Sequence, residues 1–332
     1  MHKSTLTVAG VAAAVLAVCS SADAKVTYVP IAFPAGAVTV LPFGINDSNI
    51  IAGGYTDSSG ILHGFYGPPD GSNYTTFDLT DGSQAEARAI FNDGSITGLS
   101  LESGFTFGEE YYRSPSGKIR MLKNPDGNIA DGVSQGGNDA GKYAGDYLDT
   151  DGVTRLGFEA KSGRYKKDFV LPRLQGVTST NPRQINNHGL VAGGYIDSSG
   201  IQHGFVLDGK KLTSFDAPGS VNVTTAEGIN DAGQVAGLYT DSSGNRHAFL
   251  YDYTTGQYTA IDPGDGSAAQ EAWGINNEGL VVFDTGSGAA PYIYCPKRKS
   301  KCPAGAGADA YHGTNGRDLA AFQSVKRQAA VP

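Results

Sequence analysis

One asparagine recurs along the chain at 46, 92, 138, 186, 230 and 276, with spacings of 46, 46, 48, 44 and 46 residues. Each stands in a version of one phrase: Gly44-Ile45-Asn46-Asp47, Phe91-Asn92-Asp93-Gly94, Gly137-Asn138-Asp139, Ile185-Asn186-Asn187, Gly228-Ile229-Asn230-Asp231 and Gly274-Ile275-Asn276-Asn277. Self-similarity at a fixed period of this size marks an array of one supersecondary unit. Length alone would suggest about two domains, but six units in register point to one body.

The fifth unit displays the pattern best. Its strand candidates are Thr225 to Asn230, Gln234 to Tyr239, His247 to Tyr251 and Gln257 to Ile261. Short connectors join them, each carrying Gly with Asp, Asn or Ser, the residues that tolerate or stabilise turns. Gly makes up 47 of the 332 residues, about double the usual share of ~7%, which fits so many turns. No apolar pattern of helical period and length appears within the repeats. Four antiparallel strands in each ~40–50 residues is the propeller pattern, with a solenoid as the main competitor.

The chain ends decide between them. The sixth unit offers a second strand at Leu280 to Phe283 and a third at Pro291 to Cys295, and no fourth. The segment Val26-Thr27-Tyr28-Val29-Pro30-Ile31 reads as that missing strand. A leading strand that completes the trailing sheet removes both open edges, whereas a solenoid needs polar caps. The expectation is therefore an all-β, six-bladed β-propeller with four antiparallel strands per blade, the last blade closed by the N-terminal strand. Residues 25–302 form the propeller, and 303–332 an Ala/Gly-rich, poorly ordered tail.

The triplets His63-Gly64-Phe65, His203-Gly204-Phe205 and His247-Ala248-Phe249, with the Gly-Ile-Asn-Asp phrase and the Val-Ala-Gly that follows it, resemble the bacterial extracellular HAF-repeat family of kelch-like propeller repeats. The resemblance covers most of residues 26–295. It implies export and a repeat fold, and it brings no catalytic residues.

Residues 1–24 read as a signal peptide: a basic start at Met1-His2-Lys3, an apolar stretch from Leu6 to Val18, and the cleavage site Ala22-Asp23-Ala24. A lipoprotein reading through Cys19 is the rival, although Val18 is larger than the residue such a site prefers. Removal of the signal leaves Cys295 and Cys302, read as a disulfide in an exported protein. Two thiolates without a histidine pair complete no zinc site. The protein is expected to be secreted or periplasmic and monomeric, with no transmembrane segment. A net charge of −8 with 17% charged residues argues against a nucleic-acid partner.

Positions that recur across units are explained by the fold. The repeated Asn starts a turn, and the repeated His, with Arg155 in its place in unit three, packs or bonds between strands. The position three residues before each Asn varies: Phe43, Ala89, Gln135, Arg183, Glu227 and Trp273. On an innermost strand these residues encircle one level of a central channel. Phe43, Gln135, Arg183, Glu227 and Trp273 then form either a small-ligand site, an aromatic wall with a few polar groups, or a filled channel with Arg183 paired to Glu227.

Asp149 and Asp151 lie on an oxygen-rich turn that suits calcium. The loop pattern fails at Tyr147 and Phe158, so turn chemistry is the alternative. No other cofactor is implied. Lys297-Arg298-Lys299-Ser300-Lys301 is a basic run, read as a solvated loop or a contact to anionic polysaccharide or lipid headgroups. No G-x-S-x-G or H-E-x-x-H motif occurs. The leading functional reading is a binding or interaction module for a polysaccharide or cell-surface protein, leaning away from enzyme. The alternatives are a propeller hydrolase or lyase, assisted by calcium, and a purely structural envelope protein.

Overall fold

The computed structural model describes residues 26–79, 83–101, 108–123, 132–149, 151, 153–169, 176–263, 268–286, 290–296 and 302–305. The signal segment, the basic run at 297–301 and the tail beyond 305 lie outside the described residues. The regular elements of the described chain are all strands. The first is β1 (Thr27–Pro30). Unit one follows as β2 (Thr39–Ile45), β3 (Ile51–Thr56), β4 (Leu62–Gly67) and β5 (Thr75–Phe77). Unit two comprises β6 (Gln84–Ile90), β7 (Ile96–Leu101), β8 (Glu109–Arg113) and β9 (Ile119–Met121). Unit three comprises β10 (Gly132–Gly137), β11 (Lys142–Leu148), β12 (Arg155–Lys161) and β13 (Arg164–Phe169). Unit four has β14 (Ser179–Ile185), β15 (Val191–Ile196), β16 (Gln202–Asp208) and β17 (Lys211–Phe215). Unit five has β18 (Thr224–Ile229), β19 (Gln234–Thr240), β20 (Arg246–Asp252) and β21 (Gln257–Ala260). The last three strands are β22 (Glu271–Ile275), β23 (Val281–Asp284) and β24 (Tyr292–Cys295).

Units one, two and five are antiparallel four-stranded sheets in chain order. Units three and four share one eight-stranded sheet, joined by the single parallel pair Gly136 and Gln184. β1 pairs antiparallel with β24, Thr27 opposite Cys295, in the sheet β1-β24-β23-β22. The whole is an all-β, propeller-like arrangement. The disulfide Cys295–Cys302 ties the end of β24 to the chain beyond it.

The repeat phrases have local causes. In the second-to-third-strand turn of unit one, Asp57 Oδ1 accepts the backbone N–H groups of Ser59 (2.8 Å) and Ile61 (2.9 Å). Gly60 takes φ +77°, which L side chains rarely adopt. The third-strand Phe is buried between sheets: Phe65 and Phe205 are sealed from solvent and Phe249 nearly so. Each such burial contributes about 1.5–3 kcal/mol. Gly53 lies opposite Phe65, and a Cβ there would sit 2.2 Å from the Leu41 carbonyl. Close approach of the first strand therefore dictates the Gly of Val-Ala-Gly.

The repeated His is a strand-to-loop latch. His63 stacks on Tyr55 (5.0 Å), its Nδ1 bonds Asp78 (2.7 Å), and its Nε2 lies 3.6 Å from Asp57. His203 repeats this with Tyr195, Asp216 and Asp197. His247 stacks on Tyr239 (4.9 Å) and bonds Asp241 (2.8 Å). The backbone N–H of Ile61, and then the other donors, hold the Asp57 carboxyl below its ordinary value. The unit-three expectation needs correction. Leu156, not Arg155, pairs with Tyr147 in the register where His63 pairs with Tyr55, because the triplet there reads Leu156-Gly157-Phe158.

Candidate functional site

The first strand of each unit faces a central channel. Residues of β2, β6, β10, β14, β18 and β22 and of their turns line one cavity of about 50 Å³. Each of these strands carries a β-bulge against its second strand. The register slips between Pro42 and Gly44, Ala87 and Ala89, Ser134 and Gly137, Pro182 and Gln184, Ala226 and Gly228, and Ala272 and Gly274. A bulge leaves one residue unpaired and re-aims its side chain. The side chains so released are those of Phe43, Arg88, Gln135, Arg183, Glu227 and Trp273, with Gly136 also out of the β10–β11 ladder.

Arg88, not Ala89, is thus the unit-two member. Phe91 closes the turn that Asn46 closes in unit one: its N–H bonds the Ser95 carbonyl as that of Asn46 bonds the Ile50 carbonyl. Aligning on Asn92 is one residue out of phase.

These side chains pack against one another at one level of the channel. Phe43 and Trp273 meet edge to face at 5.0 Å. The Arg88 guanidinium covers the Phe43 ring at 4.1 Å and lies 5.7 Å from the Trp273 ring, while its Nε pairs with Glu86. Trp273 Nε1 donates to Asp284 Oδ2 at 2.8 Å. Opposite them, Arg183 Nη1 bonds Asp146 (2.7 Å) and its Nε lies 3.4 Å from Glu227. Gln135 Nε2 donates to Glu227 at 3.3 Å. Asp146, fully buried, also pairs with Arg155. Burial would lower the Arg183 pKa, but Asp146 and Glu227 outweigh it and hold it above the ordinary value. All but Arg155 and Arg183 are more than nine-tenths buried.

Beside this cluster lies Glu110, sealed from solvent and accepting a bond from Ser134 Oγ at 2.7 Å. Desolvation pushes its carboxyl up to about 8 against the opposing Ser134 bond. It is therefore neutral over most of the physiological range.

Two tiers of turn residues form the mouth. In the inner one, each Asn caps its own turn and reaches the next unit. Asn186 Oδ1 accepts the N–H groups of His188 and Leu190, and its Nδ2 donates to the Asn230 carbonyl at 2.9 Å. The same cross-unit bond runs from Asn46 to Phe91, Asn138 to Asn186, Asn230 to Asn276 and Asn276 to Asn46. The outer ring occupies the following position and alternates acid with amide: Asp47, Asn92, Asp139, Asn187, Asp231 and Asn277. Asn92 Nδ2 donates to Asp47 (2.9 Å) and Asp139 (2.7 Å), and Asn187 Nδ2 to Asp139 and Asp231 (2.9 Å each). Asn277 Nδ2 donates to Asp47 at 2.9 Å. The alternation is legible in the sequence one residue beyond the recurring Asn in every unit but the second, where the recurring Asn92 is itself the ring member. Asp146 is legible too, standing where unit one carries Gly54, but the partners of Asp146 come from elsewhere in the fold.

The candidate calcium residues sit apart, on the unit-three turn. Asp151 caps that turn, accepting the N–H groups of Val153 (2.8 Å) and Thr154 (2.7 Å), which hold its pKa down together with the Thr154 hydroxyl, the largest cause. Asp149 donates its backbone N–H to the Thr154 carbonyl. Among the described residues, no three His, Cys, Asp or Glu side chains converge closely enough to hold a metal ion directly.

No family model and no curated protein matches the chain. Solved structures do resemble it. A protein of Agrobacterium tumefaciens assigned as TolB aligns at 13% identity and TM-score 0.50, over 82% of this chain and 99% of that one. TolB from Acinetobacter baumannii aligns at 14% identity and TM-score 0.49, over 74% and 63%. A prolyl endopeptidase aligns at 16% identity and TM-score 0.46, over 69% of this chain and 35% of that one, so the chain spans about a third of its length. Identities this low carry the fold alone, and that fold is the β-propeller.

Proposed function

We propose that the chain is an exported, closed six-bladed propeller of HAF-type repeats that works as a binding module, and that its ligand face is the channel mouth. Three features support the closed ring. The eight-stranded sheet divides into two units at one parallel pair. β1 completes the sheet of β22 to β24. Asn276 and Asn277 bond Asn46 and Asp47, the first unit's own turn. A ring of alternating donors and acceptors also closes only over an even number of units.

One observation carries the binding reading. The Phe43–Arg88–Trp273 and Asp146–Arg183–Glu227 groups are packed inside the channel and pair mostly with neighbouring side chains, Asp284, Glu86 and Arg155 among them, while the mouth presents a largely exposed ring of acids and amides around a cavity. A few precisely placed polar groups around a concavity are how sites orient ligands. The partner classes that fit are polysaccharide hydroxyls and a cell-surface protein, met by a monomer. Export to the periplasm or beyond is supported by the Cys295–Cys302 disulfide and the leader pattern of residues 1–24.

The test is a glycan array and a cell-envelope pull-down with wild type, the mouth variant Asn187→Ala and the channel variant Trp273→Phe. The expected result is binding lost in Asn187→Ala and kept in Trp273→Phe. The reverse order, or no binding by wild type, overturns the reading.

A further inference from the structure

Outside the channel, unit three carries a row of like charge. Lys142 on β11 stands opposite Lys161 on β12, and Lys161 opposite Arg164 on β13. Residues directly opposite in antiparallel strands lie on one face about 4.5–5.5 Å apart, and like charges so placed repel. The same row in unit five reads Gln234, Asp252 and Gln257, so the fold itself does not call for cations there. Glu159 shares the face, with Lys167 at 3.0 Å and Lys142 at 4.0 Å. Four cations therefore surround one carboxylate, and Lys161 and Arg164 make no ion pair among the described residues. Arg120 of unit two adds charge from the other side. Its Nη1 donates to the carbonyl of Ser162, in the turn between Lys161 and Arg164, at 2.9 Å.

The row is fixed in place and stands in water. Ser162 and Gly163 take φ +48° and +71°, as a two-residue hairpin turn requires. The Ser162 N–H bonds the Gly141 carbonyl at 3.0 Å, which puts the row at the same end of the strands as the mouth. Lys142, Lys161, Arg164 and Lys167 are all exposed. They oppose the sign of the whole chain, whose net charge is −8. Exposed charges act within about a Debye length, some ten ångströms, so an anionic guest must reach this patch while avoiding the acids elsewhere. A flat anionic membrane would also meet the acids of the mouth. It would find no apolar anchor either, and stable membrane attachment takes two signals. The large apolar side chains exposed among the described residues, Ile61, Val153 and Val221, lie at the opposite end of the strands. A thin chain with closely spaced acid groups meets the row alone. Arg offers an oxyanion a two-pronged donor, and Lys a point charge.

We propose that this rim of unit three, Lys142, Lys161, Arg164 and Lys167 with Arg120 beside them, docks an anionic polysaccharide, its acid groups lying along the row. The surface is separate from the mouth and does not need the mouth to hold a ligand.

Titration of labelled dextran sulfate into the full mature chain at low salt tests it, with neutral dextran as the uncharged control. Wild type is expected to bind dextran sulfate, to ignore dextran, and to release its ligand as salt rises. Lys161→Gln/Arg164→Gln is expected to weaken binding about 25-fold, at about fivefold for each cation near a charged surface. Glu159→Gln is expected to tighten it about fivefold, the effect of one charge about 4 Å away in water. Lys123→Gln, which removes an exposed cation beyond β9, and Asn187→Ala at the mouth are expected to bind as wild type does. Circular dichroism and a melt confirm that each variant is folded. Several results overturn the proposal: no binding of dextran sulfate by wild type, equal binding of neutral dextran, or binding untouched in the folded double variant. So do weaker binding in Glu159→Gln, a loss in Lys123→Gln or Asn187→Ala equal to that of the double variant, and tighter binding of phosphatidylglycerol vesicles or oligo(dT). Asn187→Ala separates the two surfaces, so failure of the rim leaves the mouth reading standing, and failure of the mouth leaves the rim.

Discussion

The mouth and the middle of the channel are built from the same six strands, a few residues apart, yet they follow opposite rules. At the mouth every unit contributes nearly the same residue, and most bonds join a side chain to a backbone group of its own turn or of the next unit. In the middle every unit contributes a different residue, and the bonds join side chain to side chain across units: Arg183 to Asp146, Gln135 to Glu227, Arg88 over Phe43. A repeated position can only be satisfied by something else that repeats, and the backbone is what repeats most faithfully. A varied position has no such partner and must find its complement in a particular neighbour. The mouth therefore ties each unit to its neighbour, and the middle makes one unit distinguishable from the next.

Breaking the middle should cost most. Asp146→Ala removes the carboxylate shared by two mostly buried guanidinium groups, Arg155 and Arg183, and is expected to destabilise by about 3–5 kcal/mol in urea unfolding. A loss under about 1 kcal/mol would place those arginines in water instead. The mouth is next. Asn186→Ala removes two turn bonds and the bond to the Asn230 carbonyl, for about 2–3 kcal/mol by the same measurement. If it cost more than Asp146→Ala, the ranking of the two levels would be reversed.

Glu110 sharpens the comparison through pH. Its carboxyl is raised to about 8 in the folded chain by desolvation, from an ordinary value of 4.5. Between those values the folded state keeps a proton that the unfolded state releases. Its contribution is thus fully present below pH 4.5 and is lost as pH rises through about 8. The slope is at most about 1.4 kcal/mol per pH unit. Stability measured from pH 5 to 9 should fall less steeply in Glu110→Gln than in wild type, and parallel curves would refute the assignment. The smallest effect belongs outside the channel altogether. Lys167 lies 3.0 Å from Glu159 but is mostly exposed, and Lys167→Ala should change stability by about 0.5 kcal/mol or less.

Much of this could be read before any coordinates. The four-strand unit, the turn role of the recurring Asn, and the pairing of the leading strand with the trailing sheet all follow from period and turn chemistry, and Thr27 does lie opposite Cys295. The pairing of Cys295 with Cys302 followed from counting cysteines. The channel level was readable for five of its six members. Unit two failed because Phe91 holds the place of the recurring Asn and the true Asn92 follows it, which shifted the reading from Arg88 to Ala89. Arg155 was misplaced by one residue for a similar reason.

What the chain alone determined is whatever depends on near neighbours: strand, turn, repeat length, and the identity of the residue offered to the channel. The tertiary structure decided which way that residue points, because a bulge breaks the two-residue alternation from which direction is inferred. It also decided who meets whom, since Asp146 and Arg183, or Arg88 and Phe43, lie in different units and only the packing of those units brings them within reach. Local sequence carries backbone preference, whereas charge pairing in a buried channel is a property of units packed together.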